Sequence, residues 1–326
     1  MLLRGEEDRP VRPGRLVHYS ISLADGEQRP ELIAQLDASA GTLREHNPGI
    51  PAVVFLYGTL SADLAAVCRS HGLMVQEQGP YERRLAELCP AGWPALARYP
   101  LLHRFLNFRE LAAAGAAQAL YLDCDTIFFD DVERLFDRYA DADVAAREEV
   151  HTSRNQHGVD RDFVDEPLLA RLADAEGAVA IPPFNLGVVL FGRGVVATLA
   201  AYEALFVDYA WRFALWTAQH PAHGAAAAFG EFLGAAEALA LTTPDALARA
   251  LPYPSTNRWI LDEVALWMTL GHVPGLRVAD FDRGDVAENG EFSAAHPAGA
   301  SWVLCHYYSQ NASRIDAWLR GHRAAA

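Results

Sequence analysis

Apolar positions along this chain follow two rhythms. Short runs rich in Val, Leu, Ile and Tyr, bounded by Gly, Pro or charged residues, mark strands at 15–21 (RLVHYSI), 51–58 (PAVVFLYG), 72–78 (GLMVQEQ), 119–125 (ALYLDCD) and 143–148 (DVAARE). Between them the apolar spacing is helical. It predicts helices over 31–45, ending before Asn47-Pro48-Gly49, over 61–70 behind a Ser61 cap, and over 131–140. One long helix is expected over 93–114, with Pro94 and Pro100 breaking its first turns. Residues 149–177 read as a polar, irregular surface excursion, after which 178–191 (AVAIPPFNLGVVLF) returns to the sheet. Ala-rich helices fill 194–250 with a break at His220-Pro221, and a helix over 259–271 ends at Gly271. Strands at 275–281 and 301–308 and a helix over 312–323 complete the pattern. Strand–helix alternation of this kind predicts an α/β fold, a parallel or mixed sheet covered by helices, with no repeat and no domain-separating linker.

Composition narrows the chemistry. Of 326 residues, 51% are hydrophobic, enough for a sizeable core, and 27 basic against 42 acidic residues leave a net charge of −15. That field repels phosphate backbones, so nucleic acid is not an expected partner. Every basic residue is arginine. A chain without lysine has no P-loop, Schiff-base or pyridoxal chemistry. Cys68, Cys89, Cys124 and Cys305 are scattered, which fits a reducing compartment and no cysteine zinc site. The first ten residues, MLLRGEEDRP, carry acids where a secretion signal needs an apolar run. The apolar stretches 194–219 and 224–241 contain Glu203, Asp208, Arg212, Glu231 and Glu237, so no transmembrane segment is expected. A soluble, cytoplasmic protein is the expectation.

Asp123 and Asp125 flank Cys124 at the end of the most strand-like segment. Residues i and i+2 on a strand share a face, so both carboxylates are expected to leave the sheet together and suit a hard divalent cation beside a diphosphate. Asp141/Asp143 and Asp160/Asp162 repeat the spacing in loop-like surroundings, while Asp280/Asp282 end a strand and remain a rival. A haloacid-dehalogenase reading fails on register, since Thr126 comes one residue early, and on the absence of lysine. A second lure is Gly192-Arg193-Gly194-Val195-Val196-Ala197, with the spacing of a dinucleotide-binding G-x-G-x-x-A after an apolar strand, but without the strand ending in an acid that should follow.

The block YLDCDTIFFDDVERLF (121–136) resembles the core signature of the GT-A glycosyltransferases, nearest to family eight, the glycogenin and bacterial galactosyltransferase group. Four further blocks are similar to that family and occur in its order: LLHRFLNFREL (101–111), FNLGVVLF (184–191), LDEVALW (261–267) and LCHYY (304–308). The resemblance implies a Rossmann-like GT-A fold, a single large domain with a helical insertion. Its parts are a tail at 1–14, a nucleotide-sugar-binding core at 15–193, the insertion at 194–257 and an acceptor-side part at 258–326. It implies metal ligation by Asp123, Asp125 and His306 and donor contacts from Arg104, Asn185 and Gly187, with Tyr19 and Ser20 meeting base and ribose. Asp262 matches the family's acid, whereas Glu263 stands where the family has glutamine; both are the catalytic candidates. Implied too are Mn²⁺ or Mg²⁺, a UDP-sugar donor, an acceptor left unnamed, and transfer with retention. The chain departs from the family after His306, where YSQNASR lacks the usual lysine and Arg314 would have to substitute, and in 194–257, which is longer than the family's equivalent and takes no assignment from it. A nicotinamide-dependent oxidoreductase using 192–197, or a non-catalytic nucleotide-sugar binder, stays open as an alternative. Among the histidines and tryptophans, His151/His157 and His220/His223 read as exposed, and Trp211, Trp216, Trp259 and Trp267 as core unless one lines a sugar subsite.

Overall fold

A computed structural model describes residues 14–23, 29–99, 101–148, 164–192, 194–220, 240–255, 258–288, 302–307 and 319. The first half alternates β1 (Arg15–Leu23), α1 (Pro30–His46), β2 (Ala52–Gly58), α2 (Ala62–Ser70) and β3 (Met74–Gly79). Helices α3 (Tyr81–Leu88), α4 (Trp93–Leu96) and α5 (Phe108–Ala113) follow, with a 3₁₀ turn at Leu102–Phe105 before the last of them. Next come β4 (Gln118–Leu122), β5 (Thr126–Phe128), α6 (Glu133–Arg138), β6 (Val144–Glu148), α7 (Glu166–Ala175) and β7 (Phe184–Phe191). Beyond lie α8 (Val195–Gln219), α9 (Pro244–Ala248), α10 (Leu261–Leu270), β8 (Val278–Asp280), β9 (Val286–Glu288) and β10 (Leu304–His306).

Seven strands form one sheet in the order β3-β2-β1-β4-β7-β6-β8, and β5-β10-β9 form a small second one. Within the large sheet β3, β2, β1 and β4 are parallel, as are β6 and β8, while β7 runs antiparallel to both its neighbours. The mixed, mostly parallel α/β sheet expected from the sequence is thus what the chain builds. Period-two alternation divides its two faces. Val54 and Leu56 face a core with Leu36 and Leu43 of α1 and Leu64 of α2; Val53, Phe55 and Tyr57 face the opposite core with Leu85, Phe108, Phe206 and Trp267. Burying one such Leu or Phe contributes about 1.5–3 kcal/mol, and because both faces of β2 are covered its residues form a nearly continuous apolar run. Helix α8, from the segment set apart as an insertion, lies in this second core through Leu199, Phe206 and Phe213.

Several local expectations are corrected. The single helix over 93–114 is three short pieces, and a separate helix, α3, precedes it. Pro94 sits in the first turn of α4, where a missing amide hydrogen is tolerated, and the second break, at Leu106–Asn107, contains no proline. The polar excursion 149–177 contains the regular helix α7, capped by Asp165, whose side chain accepts from the Leu168 amide, and anchored by buried Leu169, Leu172 and Ala173. Strand β9 lies in a segment assigned no element from sequence. The chain bends at Asp123–Asp125, so that β4 ends in the large sheet and β5 begins in the small one. The tail up to residue 13, His151/His157, His223, Asp160/Asp162, Arg314 and most of the closing helix fall outside the described residues, as does Arg193.

Candidate metal centre and cleft

Strand order reverses between β1 and β4: from β1 the chain steps outward to β2 and β3, and from β4 the sheet continues the other way. Loops leave such a switch point in opposite directions and open a crevice at the carboxyl ends of the strands. A cleft of about 780 Å³ lies there, lined by Ser20–Ser22 of β1, by Tyr121 and 123–125, by Arg104 and by the start of α1. That volume is within the range of small-molecule sites.

Asp123 and Asp125 line the cleft and meet His306, which is buried and outside the lining; each of the three offers one ligand atom, all within 4.8 Å of one another. The aspartates do not converge through strand alternation, as expected, but because they straddle the bend between two sheets. The Asp123 amide bonds the Gly187 carbonyl of β7 (2.8 Å), and the Asp125 carbonyl accepts from Tyr307 beyond β10 (3.0 Å). His306 pairs with Thr126 in the ladder, which sets its Nε2 3.3 Å from Asp125 Oδ1 and 3.9 Å from Asp123 Oδ2. Gly187 makes room for it: a Cβ at that position would overlap the His306 ring. Burial alone would lower the His306 pKa, yet the charge and hydrogen bond of Asp125, with Asp123 and Glu288, raise it above the ordinary value.

Asp123 is oriented from behind. Tyr121 donates to its Oδ1, and Arg104 stands 3.3 Å from its Oδ2. Arg104 also faces Oδ2 of Asp262 at 3.6 Å, and Tyr99 donates to Oδ1 of Asp262 (2.8 Å). Burial opposes the charge on Arg104, but Asp123 and Asp262 outweigh it and hold the guanidinium protonated. Burial pushes the Asp262 carboxyl up, against the pull of Arg104 and the Tyr99 hydroxyl. Three carboxylates, Asp123, Asp125 and Asp262, thus gather around one guanidinium, an excess of acidic over basic side chains. Two carboxylates and an imidazole with that excess fit Mn²⁺ or Mg²⁺.

The remaining expected site residues fall in different places. Ser20 lines the cleft, but its hydroxyl is engaged, donating to the His103 carbonyl (2.9 Å) and accepting from Asn107 (3.1 Å). Those bonds dock the turn that carries Arg104. Tyr19 has no exposure, points into the other core and shares a hydrogen bond with Ser39 (2.9 Å). Asn185 accepts from the Gly187 amide (2.7 Å), which shapes β7 beneath His306. Asp262 and Glu263 are buried at the start of α10, 0% and 7% exposed, and neither lines the cleft. Tyr99 and Tyr121 have no role assigned from sequence: Tyr99 acts over 163 positions, whereas Tyr121 acts on its neighbour-but-one, a contact set by the bend that follows β4.

The rival motifs are occupied elsewhere. Asp280 accepts from the Glu148 amide (2.8 Å); Asp282 accepts from Gly284 (2.7 Å) and pairs with Arg138 (3.1 Å). Asp143 is tied to Arg277. Among the described residues, Asp123, Asp125 and His306 are the group of such donors that converges. Gly192 and Gly194 follow β7, whose end lies beside the start of β4, the edge of the sheet opposite the cleft. A strand antiparallel to both neighbours cannot begin a dinucleotide βαβ unit, so that alternative loses its structural premise. Among the described residues no helix is long and apolar enough to cross a membrane.

No protein-family model and no curated protein matches the chain. Solved structures do. The galactosyltransferase LgtC, in complex with donor and acceptor sugar analogs, is 14% identical, with 90% of this chain and 86% of that chain covered and a TM-score of 0.47. Mouse xyloside xylosyltransferase 1 in its apo form is 11% identical over 89% and 96% of the two chains, with a TM-score of 0.45. The glycosyltransferase GlyE of Streptococcus pneumoniae is 12% identical over 92% of this chain and 56% of that chain, with a TM-score of 0.43.

Proposed function

We propose that the protein is a metal-dependent GT-A glycosyltransferase, of hexosyltransferase type, that moves a sugar from a nucleotide sugar to an acceptor hydroxyl. A UDP-sugar donor and retention follow from the resemblance to glycosyltransferase family eight. The observation that carries the reading is the convergence of Asp123 and Asp125, which line a cleft at the β1/β4 switch point, with buried His306.

A divalent cation held by those residues supplies charge neutralisation to a diphosphate leaving group. The protein's own residues prepare the rest. Tyr121 and Arg104 fix the orientation of Asp123, as groups behind a metal ligand must. Arg104 adds a positive charge on the cleft wall, held in place by Asp262 and, through it, by Tyr99. Asp262 is therefore read as a positioning residue. Glu263, where the family has an amide, brings a second buried carboxylate to the start of α10; outside the cleft lining, it stays a candidate for charge stabilisation and not for covalent capture at the anomeric carbon.

Release of nucleoside diphosphate from UDP- and GDP-sugars, measured with Mn²⁺ and with chelator, tests the reading. Metal-dependent release from at least one donor is expected. Metal-independent release, or stabilisation by NAD or NADP in place of any nucleotide sugar, contradicts it.

A further inference from the structure

Four large hydrophobic side chains are markedly exposed among the described residues, and of these only Trp259, 43% exposed, lines the cleft. Its position is built. Tyr99, itself fully buried, places its hydroxyl 2.5 Å from the Trp259 carbonyl and 2.8 Å from Asp262 Oδ1. From Asp262 the contacts run to Arg104 and on to Asp123. The segment bearing the indole is thereby tied to the acidic floor and not to a free surface loop.

The lining of the cleft mixes polar and apolar groups. Arg29, Glu31 and Gln35 come with Pro30 and Leu32 from the start of α1, while Trp259 and Leu101 bring apolar surface to the lining that also holds Arg104. A pyranose ring is matched to the second combination: its axial C–H groups form an apolar face that packs on an aromatic ring, while its hydroxyls at the rim seek guanidinium and carboxylate partners. A nucleobase stacks on indole too, but its donors and acceptors are better met by the polar groups on the α1 side.

We propose that Trp259 is the platform on which a pyranose of the acceptor stacks, with Tyr99 as the residue that positions it. The identification of that pyranose as the acceptor rests on the glycosyltransferase reading; the stacking itself does not. No step of bond making is assigned to the indole.

The test uses the full chain with Mg²⁺ and UDP, and methyl β-D-galactopyranoside, methyl β-D-glucopyranoside and methyl β-D-xylopyranoside as probes. Saturation-transfer NMR reports which ring protons touch the protein, and calorimetry follows UDP separately. At least one glycoside should receive saturation chiefly on the protons of a single ring face. Trp259→Ala should lower that signal at least fivefold, Trp259→Phe should keep most of it, and UDP affinity should stay within twofold in both. Trp259 is 43% exposed, and retained UDP affinity reports that each variant keeps its fold. An unchanged glycoside signal in Trp259→Ala, no signal in the wild type, or a parallel loss of UDP affinity would each overturn the proposal, the last by assigning the indole to the base. Face-selective glycoside binding that depends on Trp259, in a protein that binds neither UDP nor Mg²⁺, would support it while sinking the donor reading.

Discussion

Asp123 is held at both oxygens by the protein itself, Oδ1 by Tyr121 and Oδ2 by Arg104, whereas Asp125 faces His306. The three ligand candidates could be read from sequence because a short motif and its companion blocks carry them. Their supports could not: Tyr121 acts on its neighbour-but-one across a bend, and Tyr99 reaches Asp262 over 163 positions. The same limit applies to Tyr19, whose place at the end of an apolar strand suggested the cleft but whose side chain alternates into the opposite core. Glu263 is the residue where a substitution speaks most clearly. Glu263→Gln keeps shape and hydrogen-bonding reach and removes only charge. If that charge stabilises the transition state, kcat falls by about 10², or roughly 2.7 kcal/mol, with KM little changed. A variant with kcat within tenfold of wild type would leave Glu263 a packing role and make Asp262, through Arg104, the more consequential acid.

At the scale of elements, strands and helices with strong alternation were legible, including β1, β2, α1 and the Ser61-capped α2. Those shaped by tertiary contact were not. Strand β5 continues the apolar run of β4 with no punctuation except the acids themselves, yet pairs in another sheet. The fit between β7 and β10 is of the same kind, because Gly187 is demanded by a ring more than a hundred residues away. Gly187→Ala should force His306 aside, destabilising the fold by about 1–3 kcal/mol through overpacking. It should also weaken Mn²⁺ binding at least tenfold. The double variant Gly187→Ala/His306→Ala should recover most of the stability but none of the metal affinity, since the two residues share one space. Denaturant midpoints and Mn²⁺ titrations on the four proteins check this; purely additive effects would refute the coupling.

The whole molecule is stabilised around a sheet whose strand order no local pattern announces. The switch between β1 and β4 emerges only when the sheet is assembled, and it is this order that turns a motif at residue 123 into the floor of a cleft. The same assembly traps His18. It is 1% exposed between Phe55 and Tyr121, its two ring nitrogens have no hydrogen-bond partner, and burial pushes its pKa down to about 3. Its folded value lies below the ordinary 6.5, so the unfolded chain takes the proton first. The stability held by neutral His18 is complete above about pH 6.5 and drains as pH falls toward 3, by about 1 kcal/mol per pH unit. His18→Phe should remove that dependence: unfolding curves of variant and wild type should run parallel above pH 6.5 and diverge below it, the variant being the more stable in acid. Parallel curves throughout would show that His18 finds a partner for its proton.

Counting bound Mn²⁺ by electron paramagnetic resonance bears most directly on the metal centre. One site per chain is expected, tightened at least tenfold by UDP, abolished in Asp125→Ala and intact in Asp282→Ala, since the Asp282 carboxylate is held by Gly284 and Arg138. The same Mn²⁺ occupancy in Asp125→Ala as in wild type, or a site indifferent to UDP, would contradict the proposed metal centre.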